Sequence, residues 1–145
     1  MNNDTNSDVI LISYYEGAYG PTIRIDIQSN QSLSRLMRIF LDLSQLRMQE
    51  FAISTMASAN LTNFDSFILC TARNNKLASN RVHLIQKSSH NLTVYWYNTT
   101  DGWRDCADLL DGLIINQEPG HQYLTDEDTD NILIEVAFRE KRINP

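Results

Sequence analysis

A chain of 145 residues, 42% apolar and 21% charged, fits one globular domain and excludes collagen-like and disordered classes. No apolar run approaches the roughly 20 residues that a membrane-crossing helix needs. The stretch from Met1 to Asp8 is polar and acidic, without the basic start or apolar core of a secretion signal, which places the chain by default in the cytoplasm. A formal charge of −6 argues against direct binding of nucleic acid or of an anionic membrane.

Taken in chain order, Val9 to Tyr15 is a β-rich run. Gly17 and Gly20-Pro21 mark a turn. Thr22 to Gln28 then alternates, with Ile23, Ile25 and Ile27 on one face and Arg24 and Asp26 on the other. That pattern predicts a hairpin with a half-buried second strand. Several candidate caps lie between Ser29 and Ser34, and Leu33 to Leu46 follows helical spacing. Strands are expected over Glu50–Thr55, Ser66–Ala72, Asn80–Lys87 and Leu92–Asn98, with turns over Ser58–Asn63, Asn74–Ser79 and Ser88–Asn91.

Thr99 to Gly102 breaks the fourth of these strands and caps a second helix. Trp103, Cys106, Ala107, Leu110, Leu113 and Ile114 form its apolar stripe. Pro119-Gly120 stops that helix, a polar loop runs to Asp130, and Ile132 to Arg139 alternates as a last strand. No internal repeat or linker is visible. The reading is a single α+β domain over 1–145, order ββαββββαβ, with residues 1–7 and 141–145 frayed. Its antiparallel or mixed sheet has about six to seven strands and carries two helices on one face.

Signatures of catalysis are sparse. The sequence holds no glycine-rich phosphate loop, nucleophile elbow or zinc spacing, so no metal or other cofactor is expected. His83, His90 and His121 are scattered. Cys106 could pair with His121 as nucleophile and base, but it lies on an apolar stripe, where thiols are inert. The two cysteines, Cys70 and Cys106, are expected unbridged. Asp126 to Asp130 mimics the start of a calcium loop, yet Asn131 stands where glycine is needed and Ala137 where glutamate is needed. Three glycosylation sequons, at Asn60, Asn91 and Asn98, have no meaning in a chain that is not secreted.

Charge is distributed unevenly. From Asp101 to Asp130 there are nine acids against one base, Arg104, while the remainder of the chain is slightly positive. Asp101, Asp105, Asp108 and Asp111 recur at helical spacing and stack along one face. Glu118 and the run Asp126, Glu127, Asp128 and Asp130 follow closely. An ordinary solvated helix face explains Asp101 and Asp105, near the helix start, better than Asp111. The acids together therefore read as a partner-binding surface, with Tyr123 as the candidate anchoring aromatic.

The segment Trp103-Arg104-Asp105-Cys106-Ala107-Asp108-Leu109-Leu110-Asp111-Gly112, then Gly120-His121-Gln122-Tyr123-Leu124 and a closing alternating strand, resembles small bacterial immunity proteins. Such proteins are encoded beside polymorphic or contact-dependent growth-inhibition toxins. The resemblance covers about the last third of the chain. It implies an antitoxin that binds and occludes one cognate toxin domain, often a basic nuclease, and that is not itself an enzyme. It implies no particular contact residues. Two other readings stand beside it: a small enzyme with a dispersed site involving His121 and an acid, and a structural or adaptor subunit of a larger complex. The sequence leaves the oligomeric state open.

Overall fold

The computed structural model describes residues 8–72, 81–88, 91–125 and 132–140. The expected frayed ends, the expected turn over 74–79 and the acidic run over 126–130 lie outside the described residues.

The α+β class holds, with two helices, but the strands divide between two mixed sheets instead of one. The elements are β1 (Ile10–Gly17), β2 (Gly20–Ile27), α1 (Asn30–Ser44), β3 (Glu50–Ala52), β4 (Ala59–Thr62), β5 (Ser66–Thr71), β6 (Arg81–Ser88), β7 (Asn91–Asn98), α2 (Thr100–Asn116), β8 (Gly120–Tyr123) and β9 (Leu133–Phe138). Sheet A has the order β4-β1-β2-β9-β8 and sheet B the order β3-β5-β7-β6.

Two short strands account for part of the difference from the sequence reading. β4 occupies the expected turn over Ser58–Asn63, and β8 opens the expected loop after Pro119-Gly120. Both are four residues long: Ala59 to Thr62 alternates, but over too few residues to stand out from a turn, and Gly120 to Tyr123 is polar. The strand expected over Glu50–Thr55 stops at Ala52, and Ile53–Thr55 forms one 3-10 turn.

The topology contains a repeat that the sequence hides. Each half of the chain runs hairpin, helix, strand, strand, and the last pair of strands is exchanged between halves. β1-β2 is completed by β9 and β8 from the second half, while β6-β7 is completed by β5 and β3 from the first. In both sheets the hairpin is antiparallel, the joint to the donated strand is parallel and the last pair is antiparallel. Among the described strands β4 alone has no counterpart.

Registers agree across the repeat. Thr22 to Ile27 align with Leu133 to Phe138, as Thr93 to Asn98 align with Ser66 to Thr71. Each repeat enters its helix through a hydroxyl cap. Ser29 accepts from the Ser32 amide at 3.1 Å, and Thr99 accepts from the Gly102 amide at 3.0 Å.

The core is one cluster drawn from both sheets and both helices. α1 contributes Leu33, Leu36, Ile39, Phe40 and Leu43, and α2 contributes Trp103, Cys106, Ala107, Leu110 and Leu113. At its centre Phe40 meets Trp96 edge-on at 5.6 Å and stacks on Trp103 at 5.4 Å, while Trp96 and Trp103 cross at 4.7 Å. The Trp103 indole nitrogen donates to the Cys70 carbonyl at 3.2 Å, which ties α2 to β5. Asn98 is fully buried where β7 gives way to α2, and its Oδ1 accepts from the Thr99 amide at 3.0 Å. Only glycine fits beside it at position 102, because a Cβ there would overlap the Asn98 amide.

Candidate functional site

α2 turns Trp103, Cys106, Leu110 and Leu113 inward, so helical geometry sends Asp101, Asp105 and Asp108 to the opposite side, with Asp111 on its flank. All four acids are exposed, as is Glu118 beyond the helix. None of the five makes an ion pair with another described residue. Ile115 lies on the same outer stripe and is 72% exposed, and Leu109 at its margin is 37% exposed. The face thus mixes unpaired carboxylates with two solvent-facing aliphatics.

Beyond α2, Gln117 takes a left-handed conformation (φ 57°) that ends the helix. Its side-chain oxygen accepts from Asn30 Nδ2 at 2.8 Å, and Arg139 Nη1 donates to its carbonyl at 3.2 Å. These bonds fix the helix end against α1 and the end of β9. Tyr123, on β8, is half-buried with its ring edge-on to His121 at 5.7 Å. Asp126, Glu127, Asp128 and Asp130 lie outside the described residues. The structure therefore brings Asp101, Asp105, Asp108 and Asp111 onto one surface.

A second polar group was not anticipated. Arg24 and Asp26, expected on a solvated strand face, are only 7% and 2% exposed. β2 is central in sheet A, and its face away from the core is covered too. Arg24 Nε donates to Asp26 Oδ1 at 2.9 Å, Nη1 lies 3.5 Å from Glu135 Oε1 and Nη2 lies 3.6 Å from Glu140 Oε1. Burial works against the guanidinium charge, but Asp26, Glu135 and Glu140 outweigh it and hold the Arg24 pKa above its ordinary value. Tyr15 hydrogen-bonds to the same guanidinium. Burial, then the Glu135 charge, raises its phenol pKa. The sequence signal was opposite charges two apart in a strand, facing a lone Glu135 in an otherwise apolar strand.

His121 Nδ1 lies 2.9 Å from Glu140 Oε2, so the histidine does meet an acid. Cys106 belongs to other surroundings. Burial, then the Asp105 charge, pushes its thiol up to about 12, and its polar contacts are Asn98 Nδ2 and the Leu124 carbonyl. Among the described residues no contact joins Cys106 to His121, in keeping with the inert place of Cys106 on the apolar stripe. Among the described residues no group of three or more His, Cys, Asp or Glu side chains could hold a metal ion, and no helix is long and apolar enough to cross a membrane.

No protein-family model, curated protein or solved structure matches this chain.

Proposed function

We propose that this protein is a binding domain of the immunity type, which docks the outer face of α2 on a basic toxin domain, nuclease-like in its charge, and blocks it. The observation that carries this reading is the set of exposed, unpaired carboxylates Asp101, Asp105, Asp108 and Asp111 flanking the solvent-facing Ile115. Carboxylates four apart repel and slightly destabilise a helix, so their placement is explained better by an external cation-bearing surface than by stability. Acids around an exposed aliphatic match the polar rim and apolar centre of protein interfaces. Charge matching of this kind mainly accelerates association. The acids over 126–130 follow the same helix in sequence and extend the same charge.

The test replaces Asp101, Asp105, Asp108 and Asp111 with Asn and measures association with the partner, recovered by co-purification or from the adjacent reading frame. Association should slow, and its dependence on salt should flatten, because exposed charges are screened within about 8 Å at physiological ionic strength. Equal rates and equal salt slopes for both proteins would refute the reading. One observation favours a second reading, a small enzyme: the contact between His121 and Glu140. Turnover by pure protein that is lost in His121→Ala would establish it.

A further inference from the structure

Sheet B turns one face to the core and the other outward. Phe67, Leu69, Val94 and Trp96 are fully buried on the inner face. Strand alternation therefore sends Ile68 and Cys70 of β5, and Tyr95 and Tyr97 of β7, to the outer face. All four are half-buried, and on the flanking strands Glu50 and His83 are exposed.

The two halves of this outer face differ in size. In register, Tyr95 lies between His83 of β6 and Ile68 of β5, and Ile68 lies beside Ala52 of β3. In the next row Tyr97 lies beside Cys70, and Cys70 beside Glu50. The β7–β6 half is thus a ring-bearing ridge, with Tyr95 stacked on Tyr97 at 6.1 Å and His83 edge-on to Tyr97 at 5.6 Å. The β5–β3 half, built on Ile68, Cys70 and Ala52, is lower. Charge is uneven as well: among the described outward residues Glu50 is the one acid, at the β3 margin, and β6 contains no acid.

We propose that this face receives the same face of a second copy of the chain, related by a two-fold axis that runs parallel to the strands between β5 and β7. A face that is half ridge and half trough fits a partner with the reverse profile, and that rotation supplies it. Tyr95 then lies over the partner's Ile68, Tyr97 over the partner's Cys70 and His83 over the partner's Ala52, each contact occurring twice. Glu50 comes over the partner's acid-free β6, so the charges are complementary across the axis. A two-fold axis running across the strands would instead lay Tyr95 on the partner's Tyr97 and Ile68 on the partner's Cys70. Rings would meet rings and hold the small halves apart, which dense interface packing disfavours. Two copies of a chain with net charge −6 repel each other, and an outer face with a single acid is a place where that repulsion is low. Four strands make a small interface, so the dimer is reversible and forms with rising concentration. This face is separate from the outer face of α2, and neither reading needs the other.

Sedimentation of the full chain over a concentration series should show a monomer–dimer equilibrium. Ile68→Glu buries charges at the centre of the interface and should weaken association at least about tenfold. Ile68→Tyr sets ring against ring and should also weaken it. Adding Tyr95→Ile to that variant restores ring against aliphatic and should recover the dimer. The double variant keeps the wild-type composition, so the test stays decisive if the glutamate variant fails to fold. In isotope-labelled protein the amide signals of Ile68, Tyr95 and Tyr97 should move with concentration, while those of Asp105 and Asp108 should not. A chain that stays monomeric at every concentration overturns the proposal. So does a dimer that Ile68→Glu leaves intact, or a double variant that associates no better than Ile68→Tyr. A monomer whose Tyr95 and Tyr97 signals move with a single-stranded oligonucleotide would give the face to nucleic acid, and this result would overturn the dimer too.

Discussion

The outer faces of the two sheets occupy equivalent places in the repeat and are built from opposite chemistry. Across sheet A one row runs Ser13, Arg24, Glu135, Tyr123, and the next Leu11, Asp26, Ala137, His121. The equivalent rows of sheet B are His83, Tyr95, Ile68, Ala52 and Arg81, Tyr97, Cys70, Glu50. Sheet A thus places a buried guanidinium among carboxylates where sheet B places two half-buried tyrosines. A shared backbone plan tolerates either solution because each is internally satisfied: charges by charges, rings by rings. Buried ions hold one arrangement and penalise loss of any member, while a half-open aromatic face leaves area for a partner.

The largest expected effect strikes what the two halves share. Trp96→Ala removes the ring that meets Phe40, Trp103 and Phe67 and should cost about 3–5 kcal/mol, read as a lower midpoint in denaturant. Arg24→Met tests the charged face. It leaves Asp26 and Glu135 buried without their cation and should cost a similar 3–5 kcal/mol at neutral pH. Replacing Arg24, Asp26 and Glu135 together by their sheet B counterparts, Tyr, Tyr and Ile, should restore most of that loss. A triple variant no better than Arg24→Met would show that the faces are not interchangeable.

Smaller effects sharpen the comparison. Gly102→Ala forces the Asn98 side chain aside and should cost about 1–3 kcal/mol. An alkaline scan separates the sheet B face from the shared core by their thiols. The Cys70 thiol, on the sheet B face, is pushed up to about 11 by burial and then by Glu50, and Cys106 in the core to about 12. A folded pKa above the ordinary 9 means that the unfolded chain releases its proton first. Stability is therefore full below pH 9 and should fall as pH rises towards 11 and 12. Cys106→Ala should flatten that fall, measured as the unfolding midpoint against pH. Neutralising the four α2 aspartates should have the smallest effect, a gain of a few tenths of a kcal/mol from relieved repulsion.

Long elements with strong periods were legible. Both helices, the first hairpin and the aromatic strand Leu92–Asn98 fall where hydrophobic spacing placed them, because burial of one face leaves a regular trace. β4 and β8 left too short a trace to read, being four residues each and at sheet edges. β2 and β9 misled for another reason. Alternation predicts one solvated face, but Arg24 and Glu135 face each other across a parallel pair and are covered. That pairing joins residues more than a hundred positions apart, and no local pattern reports it. The acids of α2 were legible because helical geometry alone decides their exposure once the apolar stripe is known. Whether they meet a partner is not encoded in spacing.

The exchange of strands between the halves also sets a timetable. During synthesis the first hairpin emerges from the ribosome more than a hundred residues before β9, the strand beside which β2 must lie. Until then the apolar row Ile23, Ile25 and Ile27 lacks its lateral neighbour. The first half therefore cannot finish folding alone, and a chain truncated before Leu133 has every strand of sheet B but leaves sheet A without β9, the strand that joins β2 to β8. Pairings this distant make closure slow, and they make completion of the C-terminus the event that commits the whole molecule at once.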